Sequence, residues 1–363
     1  MSEPADDAIR YPFPTAPQPG ESLVVAPGIV WIRLALPYQL DHINVWALDG
    51  GPAGWTLVDT GLGDGRTFDA WEGLLATTLA GRPVERVVVT HFHPDHIGAA
   101  DWLVQRTGAG FAASLTEWLF ARMLSAPGTP ETEAVAERFY RRSGLDGETL
   151  TAVLGRKSAY AYGVPGVPTT LTRLRAGDRL RVGTTEWQVL GGSGHTAEPV
   201  SLYQAATGLL IPGDQILPRI SPNISVWPTE PDADPLADYL ASLDAWSALP
   251  ADTLVLPSHG LPFQGLHARA ATLRAHHAAR LEEIAAQCAT PQSAVAVTRA
   301  LFNRPLDSHQ MVFAMGEAIA HLNHLLHGGV LDRNGGPDGI DLYRRRDRAD
   351  PKTAVTKAGV TTR

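Results

Sequence analysis

The sequence predicts an α/β protein in which two β-sheets are covered by helices, followed by a helical C-terminal segment. Over the first 260 residues or so, short runs of β-type residues, separated by Gly and Pro, alternate with helical stretches. From about residue 264 the pattern becomes helical. With 363 residues, 44% hydrophobic and 19% charged, the chain is long enough for one large domain or two of moderate size.

The β-type runs form two sets separated by a helical region. In the first set, apolar residues at helical spacing predict a helix through Trp71 and another that is closed by Gly108. Residues 115–163 then carry three helical stretches, of which the second begins near Pro130, and we interpret them as a helical insertion. The second set of β-type runs continues to about residue 260.

The C-terminal segment, residues 266–345, predicts three helices and a β-hairpin, which is the pattern of a winged-helix domain. We expect the second helix to begin at Thr290-Pro291 and the third to run from Ser308 to about His327. An apolar face of the first helix holds five residues, so Cys288 is expected in the core: Leu273, His277, Leu281, Ile284 and Cys288.

Composition and charge limit the expected partners, disulfide bonds and cellular location of the protein. A net charge of −8 gives no electrostatic reason to expect nucleic acid or a membrane as a partner. Cys288 is the one cysteine, so no intrachain disulfide can form. Residues 1–21 have no signal-like apolar region and are expected to form a flexible arm, while residues 346–363 are expected to be disordered. We therefore expect a cytoplasmic protein.

The stretch "THFHPDHIG" places three histidines and an aspartate within six positions, directly after a buried-type strand. His91 and His93 alternate by two and would project to one side, whereas Asp95 and His96 lie in the following turn. Burying several imidazoles and a carboxylate without a cation would be costly, so the cluster predicts a metal site. It does not complete the ligand shell of either of two ions.

Four further metal-capable residues share one context, since each follows a β-type run and lies beside or close to a glycine. If the strand ends line one edge of the sheets, these residues converge on the cluster. Any one of them alone would more readily be an ordinary structural residue, and Asp59 could equally be a turn residue. The four are Asp59, His195, Asp214 and His259.

Together these motifs resemble those of the metallo-β-lactamase superfamily. "THFHPDHIG" is similar to its HxHxDH signature, and "LVDTG", "GSGHT", "PGD" and "SHG" match its remaining motifs in order. The resemblance covers residues 22–265 and implies a four-layer αββα sandwich. Residues 266–345 resemble the winged-helix extension of a subgroup that includes hydrolases of unassigned substrate and an endoribonuclease.

The resemblance also implies a role for each candidate residue. It assigns His91, His93 and His195 to one metal ion, and Asp95, His96 and His259 to a second. Asp214 would bridge the two ions, and Asp59 would support the site without being a ligand. Two divalent ions are expected, Zn²⁺ first, although Fe or Mn would also be accepted by these ligands.

The implied reaction is hydrolysis of a small ester, thioester or lactone by a hydroxide that bridges the two metals. Asp95, Asp214 and Asp59 would support this chemistry. The helical insertion would then act as a lid, with Tyr160 and Tyr162 as candidate oxyanion donors. An acidic substrate could meet five basic residues of the insertion, although a solvated helix face explains most of them equally well: Arg138, Arg141, Arg142, Arg156 and Lys157.

Three alternatives remain open at this stage. A metal-dependent endoribonuclease or phosphodiesterase would use the same metals, but the third C-terminal helix has no Lys or Arg between Ser308 and His327 and carries Glu317. We therefore favour a structural role for this segment, or a role in forming a homodimer. A persulfide dioxygenase with a single iron has similar motifs, and a binding protein on a degenerate hydrolase fold is the non-enzymatic alternative.

Overall fold

Two facing β-sheets form the centre of the molecule in a computed structural model that describes residues 9–155 and 159–346. The first sheet has seven strands in sequential order and the second has five in the order β12-β11-β10-β9-β8. The strands of the first sheet are β1 Ser22–Ala26, β2 Ile29–Ala35, β3 His42–Asp49, β4 Trp55–Val58, β5 Val84–Val88, β6 Gly110–Ala113 and β7 Thr172–Arg173. Those of the second are β8 Arg179–Val182, β9 Thr185–Gly191, β10 Val200–Gln204, β11 Leu209–Ile211 and β12 Leu254–Val255.

Successive side chains of the central strands point to opposite faces of each sheet, and both faces are buried. In β2, Trp31 points into the core between the sheets, whereas Ile32 points to the outer face of the first sheet. In β10, Leu202 contacts the inner core and Tyr203 the core on the outer face of the second sheet. Helices cover both outer faces, which confirms the predicted αββα sandwich.

Helices α1 Gly65–Ala76 and α3 Ala100–Thr107 cover the first sheet. Asp64 caps α1 by accepting the backbone N–H of Thr67 at 2.8 Å. Gly108 ends α3 in the left-handed conformation, at φ +74°, as the sequence predicts. The short helix α2 Pro94–Ile97 lies within the histidine cluster itself.

The helical insertion contains α4 Leu115–Ser125, α5 Pro130–Arg142, α6 Gly147–Leu154 and α7 Ala159–Gly163. Pro130 occupies the first turn of α5, as predicted. Helices α5 and α6 pack into the core of the C-terminal segment, so the insertion has contacts well beyond those of a lid over one site. Two of its basic residues, Arg156 and Lys157, lie outside the described residues.

The C-terminal segment has the three helices and the hairpin that the sequence predicts. They follow α8 Pro235–Trp246 and comprise α9 Leu266–Gln287, α10 Ala294–Leu301, α11 Ser308–His327, β13 Leu331–Gly335 and β14 Asp341–Arg345. Within residues 9–155 and 159–346, no helix has both the length and the apolar character needed to cross a bilayer.

The start of α10 corrects one prediction. The helix begins at Ala294 with Ser293 as its N-cap, three residues after the predicted Pro291. The backbone of Gln292 instead exchanges two hydrogen bonds with Tyr343 of β14, at 2.9 and 2.8 Å. Because this bridge holds Gln292 in an extended conformation, a helix cannot begin before it.

One hydrophobic core joins the insertion, the second sheet and the C-terminal helices. It includes Phe139 of α5, Tyr203 of β10 and Met315 of α11. Cys288, the C-cap of α9, is buried as predicted, and His277 of α9 is buried against His321 of α11. The C-terminal segment therefore shares its core with the sandwich.

Candidate metal centre

The predicted site residues follow strand ends and meet at one edge of the two sheets. Asp59 follows β4 and the histidine cluster follows β5, while the other three residues follow β9, β11 and β12. The structure brings together all eight of them, as the following distances show: Asp59, His91, His93, Asp95, His96, His195, Asp214 and His259.

His91, His93 and His195, hereafter the imidazole group, could hold one metal ion. The Nε2 atom of His91 lies 3.0 Å from Nδ1 of His93 and 3.3 Å from Nε2 of His195. A tetrahedral ion with bonds of roughly 2.0 Å places its ligand atoms about 3.3 Å apart. The group therefore has the spacing that a tetrahedral metal requires.

Asp95, His96 and His259, hereafter the mixed group, could hold a second ion. The Oδ2 atom of Asp95 lies 3.4 Å from Nε2 of His259 and 3.7 Å from Nε2 of His96. Carboxylate and imidazole ligands together suit divalent metals such as zinc.

Asp214 lies between the two groups. Its Oδ2 atom is 3.7 Å from Nε2 of His195 and 3.5 Å from Nε2 of His259, and its Oδ1 atom is 3.5 Å from Nε2 of His96. This position is the one that the bridging role implied by the resemblance requires.

The outer nitrogen of three imidazoles is held by a hydrogen bond, which fixes the tautomer. Nδ1 of His195 donates to the carbonyl of Asn223 at 2.8 Å, and Nδ1 of His259 donates to the carbonyl of His42 at 2.7 Å. Because a carbonyl can only accept, Nδ1 carries a proton in both rings, and Nε2 is the atom that faces the site and becomes a ligand in the neutral ring. Nδ1 of His96 lies 2.8 Å from Oδ2 of Asp59 and is held in the same manner.

Asp59 lies beside the candidate ligands and faces His96, which suits the supporting role that the resemblance implies. It is fully buried, and its Oδ1 atom accepts the backbone N–H of Thr90 at 2.8 Å. Its φ of +63° lies in the left-handed region, which Asp tolerates better than most residues. This backbone turn aims the carboxylate at His96.

Charge differs sharply between the two groups in the protein without metal. Burial lowers the pKa of His93 to about 3, so the imidazole group is neutral. Burial also acts to lower the pKa of His259, but the charge of Asp214 outweighs it and raises the pKa to about 10. A proton on the mixed group therefore balances carboxylates that a metal ion would otherwise neutralise.

Two buried polar atoms at the centre, Nε2 of His96 and Oδ1 of Asp214, face each other across 3.5 Å without a hydrogen bond of good geometry to any group. An unpartnered buried polar atom costs about 1–3 kcal/mol, which a bound cation would offset. The donor set of nitrogen and oxygen atoms matches the ligands that divalent metals take in proteins, so these residues fit such an ion.

Glu117 is a buried carboxylate at this site that the sequence did not reveal. Its Oε2 atom accepts the backbone N–H of Phe92 at 2.9 Å, and its Oε1 atom accepts that of Glu198 at 2.7 Å. The side chain thus joins the loop of His91 and His93 to the loop that follows His195. Burial raises the pKa of Glu117 to about 7. The sequence pattern around Glu117 indicates only the fourth residue of a capping box that begins at Ser114.

The candidate oxyanion donors do not have free hydroxyl groups aimed at the site. The hydroxyl of Tyr160 donates to the carbonyl of Phe92, and the side chain of Tyr162 is 83% exposed. The basic residues of the insertion have surface partners where the structure records them. Arg141 pairs with Glu137, and Arg142 pairs with Asp341.

Comparison with known proteins agrees with this geometry. The metallo-β-lactamase superfamily model matches residues 38–259, and the model of the metallo-β-lactamase-like C-terminal domain matches residues 281–346. The probable metallo-hydrolase YqjP of Bacillus subtilis (strain 168) is 27% identical in an alignment of 316 residues that covers 82% of this chain and 92% of YqjP.

Two solved structures resemble this chain both in sequence and in fold. A β-lactamase domain protein from Burkholderia ambifaria is 43% identical, with a TM-score of 0.86 over 94% of this chain and 99% of that one. A metallo-β-lactamase family protein from Thermus thermophilus is 31% identical, with a TM-score of 0.74 over 89% of this chain and 100% of that one. By fold, by the placement of its ligand residues and by these matches, the chain belongs to the metallo-β-lactamase superfamily.

Proposed function

We propose that this metallo-hydrolase holds two divalent metal ions and hydrolyses a small ester, thioester or lactone. The observation that carries the dinuclear proposal is the position of Asp214, whose oxygens lie within 3.7 Å of ligand atoms from both groups. A carboxylate placed in this way can contact an ion in each group. Zn²⁺ suits the donor set best, and Fe or Mn would also be accepted.

Bound at this centre, the two ions would activate a water molecule at neutral pH and polarise the oxygen of the bond to be cleaved. The chain itself contributes fixed geometry. The hydrogen bonds from Nδ1 of His195 and His259 hold both rings in place before any ion binds. Glu117 fixes the two loops of the imidazole group relative to each other.

An aromatic wall beside the centre supports an uncharged acyl substrate. The buried Phe92 packs against the ring of His93 with a centroid distance of 4.9 Å. The half-buried Trp227 and Tyr160 lie beside Phe92, at 6.0 and 6.3 Å, and supply the apolar surface that a substrate can reach. Apolar surface next to a polar reactive centre favours a substrate with an apolar body and one polar bond. The buried Arg269 is occupied by backbone carbonyls and does not supply a charge for substrate binding.

The environment of α11 opposes the nuclease alternative. Before His327, none of the residues of this helix is exposed, because its faces pack into the shared core. A recognition helix must present side chains to a groove and cations to phosphates. The dioxygenase alternative uses a single iron, whereas the mixed group offers three ligands to a second ion, so the number of bound ions distinguishes the two.

Metal analysis combined with a substrate panel tests the proposal. We expect the purified protein to bind about two divalent ions per chain and to cleave at least one ester, thioester or lactone, but not RNA. The Asp214→Ala variant serves as the inactive control. A single iron with oxygen consumption would support the dioxygenase instead, RNA cleavage would support the nuclease, and a protein that binds no metal would contradict the proposal.

A further inference from the structure

A segment after Asp214, residues 217–234, lies between the metal centre and the C-terminal helices. It contains Asn223, whose carbonyl accepts the hydrogen bond from Nδ1 of His195 at 2.8 Å. The segment has no regular secondary structure. Its conformation, and hence the position of that carbonyl, must therefore be set by whatever it packs against.

Helix α9 holds the beginning of this segment. Arg269 is buried, with 6% of its surface exposed. Its Nε atom donates to the carbonyl of Leu217 at 2.6 Å, and its Nη2 atom donates to that of Ile220 at 2.7 Å. Hydrogen bonds from a charged donor are among the stronger ones in proteins, so these two carbonyls are well fixed.

Helix α11 holds the middle of the segment through a close approach at Gly316. The carbonyl of Gly316 accepts the backbone N–H of Val226 at 3.1 Å. A Cβ atom on Gly316 would lie 2.6 Å from Oγ and 2.8 Å from Cβ of Ser225. Glycine inside a helix costs about 0.5–1 kcal/mol relative to alanine, and here its lack of a side chain lets the segment approach.

The side chain of Asn223 is itself attached to α11. Its Nδ2 atom donates to Oε2 of Glu317 at 3.3 Å and to the carbonyl of Phe313 at 3.4 Å. Its Oδ1 atom accepts a hydrogen bond from the hydroxyl of Ser225 at 2.5 Å. The residue that orients His195 through its carbonyl is thus positioned through its amide.

Helix α11 also holds the end of the segment. Nδ2 of Asn323 donates to the carbonyls of Pro231 and Ala233 at 3.0 and 2.9 Å. His324 pairs with Asp234, with Nδ1 and Oδ1 3.1 Å apart. The segment is therefore attached to the C-terminal helices at its beginning, middle and end.

We propose that α11 is a positioning element of the metal centre, which sets the carbonyl of Asn223, the orientation of His195 and thereby the metal affinity of the imidazole group. The orientation of His195 is a property of the chain alone, whereas the effect on affinity rests on the proposed function. Outer hydrogen-bond partners of metal-binding histidines typically change metal affinity by about 10–100-fold.

The Gly316→Ala variant tests the first part in the metal-free protein. With ¹⁵N-labelled histidine, the Nδ1–H proton of His195 should give a resonance protected from exchange, which the His195→Gln variant identifies by its loss. We expect Gly316→Ala to shift or broaden this resonance. Gly73→Ala in α1 is the matched control, because a Cβ atom there meets nothing within 4 Å. Adding Ser225→Gly to Gly316→Ala removes the clashing atoms, but it also removes the hydroxyl that bonds to Oδ1 of Asn223. The double variant should therefore give the resonance of Ser225→Gly alone.

A titration with Co²⁺, followed by visible absorption, tests the second part. We expect Gly316→Ala to weaken one of the two binding steps about 10-fold or more. The Gly73→Ala control should keep wild-type affinity, and the double variant should have the affinity of Ser225→Gly alone. If Gly316→Ala does not fold, Glu317→Ala should reduce affinity, whereas Glu317→Gln keeps an acceptor for Asn223 and should not.

The outcomes separate the two proposals. Unchanged resonance and affinity in Gly316→Ala and Glu317→Ala would overturn the positioning role, whatever the wild-type metal content. Lower thermal stability without a change in the resonance or in Co²⁺ affinity would show a merely structural role and would also overturn it. A wild-type protein with a protected His195 resonance but no bound metal would contradict the proposed function and the predicted effect on affinity.

Discussion

The imidazole group and the mixed group meet at Asp214 but differ in the protonation of their histidines in the metal-free protein. The imidazole group consists of three neutral rings, and burial keeps the pKa of His93 at about 3. In the mixed group the charge of Asp214 outweighs burial and holds the pKa of His259 at about 10. The first group is therefore ready to bind a cation, whereas the second must first release a proton.

The largest expected effect comes from removing the residue that the two groups share. Asp214→Ala should reduce the content of bound metal in both groups and lower kcat/KM by about 1000-fold or more, because several kcal/mol of charge stabilisation are lost. Metal analysis and steady-state kinetics on a substrate found in the panel measure this. The exposed Asp252→Ala serves as control, and a variant that keeps two ions would contradict a shared role.

Lowering the pH should remove the metal ion of the mixed group before that of the imidazole group. The pKa of His259 is raised to about 10, and the charges of Asp59 and Asp214 outweigh burial and raise that of His96 as well. Below these values a metal ion competes with protons, so the affinity of the mixed group falls by about tenfold or more per pH unit. The pKa of His93 lies below its ordinary value, so the imidazole group meets little competition from this residue. Metal content measured from about pH 8 to about pH 5 should drop from two ions to one. Simultaneous loss of both ions would show that the groups do not differ in this way.

Asp59→Asn should weaken the mixed group selectively. Asparagine tolerates the left-handed backbone conformation at this position, but it removes the charge that faces Nδ1 of His96 at 2.8 Å. We expect affinity of the mixed group to fall by about 100-fold, the upper end of the range for such partners, while that of the imidazole group stays near wild type. Competition with a chelator measures both steps, and equal weakening of the two would contradict the separation.

Glu117→Gln should produce the opposite selectivity and a smaller effect. Glu117 accepts one backbone N–H on each of its oxygens, and an amide offers only one acceptor oxygen. We expect the imidazole group to lose about tenfold in metal affinity. The exposed Glu148→Gln in the same insertion is the matched control. A loss confined to the mixed group would show that Glu117 acts elsewhere.

The sequence predicts the features that depend on residues close together in the chain. It does not predict those that depend on contacts between backbone groups far apart in the chain. His91 to His96 form a motif within six positions, and each remaining ligand follows a β-type run, so their convergence could be predicted from strand ends. The role of Asn223 depends on its backbone carbonyl, which every residue has, so no side-chain pattern marks it. Glu117 carries a local signal, a capping box, that conceals its long-range contacts.

The same limit explains the misplaced start of α10. Thr290-Pro291 is a sound local signal for a helix start, but the pairing of Gln292 with Tyr343, more than fifty residues later, delays the helix to Ala294. Tyr160 likewise carries a hydroxyl suited to an oxyanion, and only the structure shows that Phe92 already accepts its hydrogen bond.

The core that joins the sandwich to the C-terminal helices has a consequence for synthesis of the chain. Domains generally fold in order as the chain leaves the ribosome. Here the core on the outer face of the second sheet, which includes Tyr203 and Leu210, also includes residues such as Met315 that are made after the predicted metal-binding residues. A nascent chain that already carries all seven predicted ligand residues therefore still lacks part of this core, and exposed apolar surface of this kind favours aggregation until synthesis is complete.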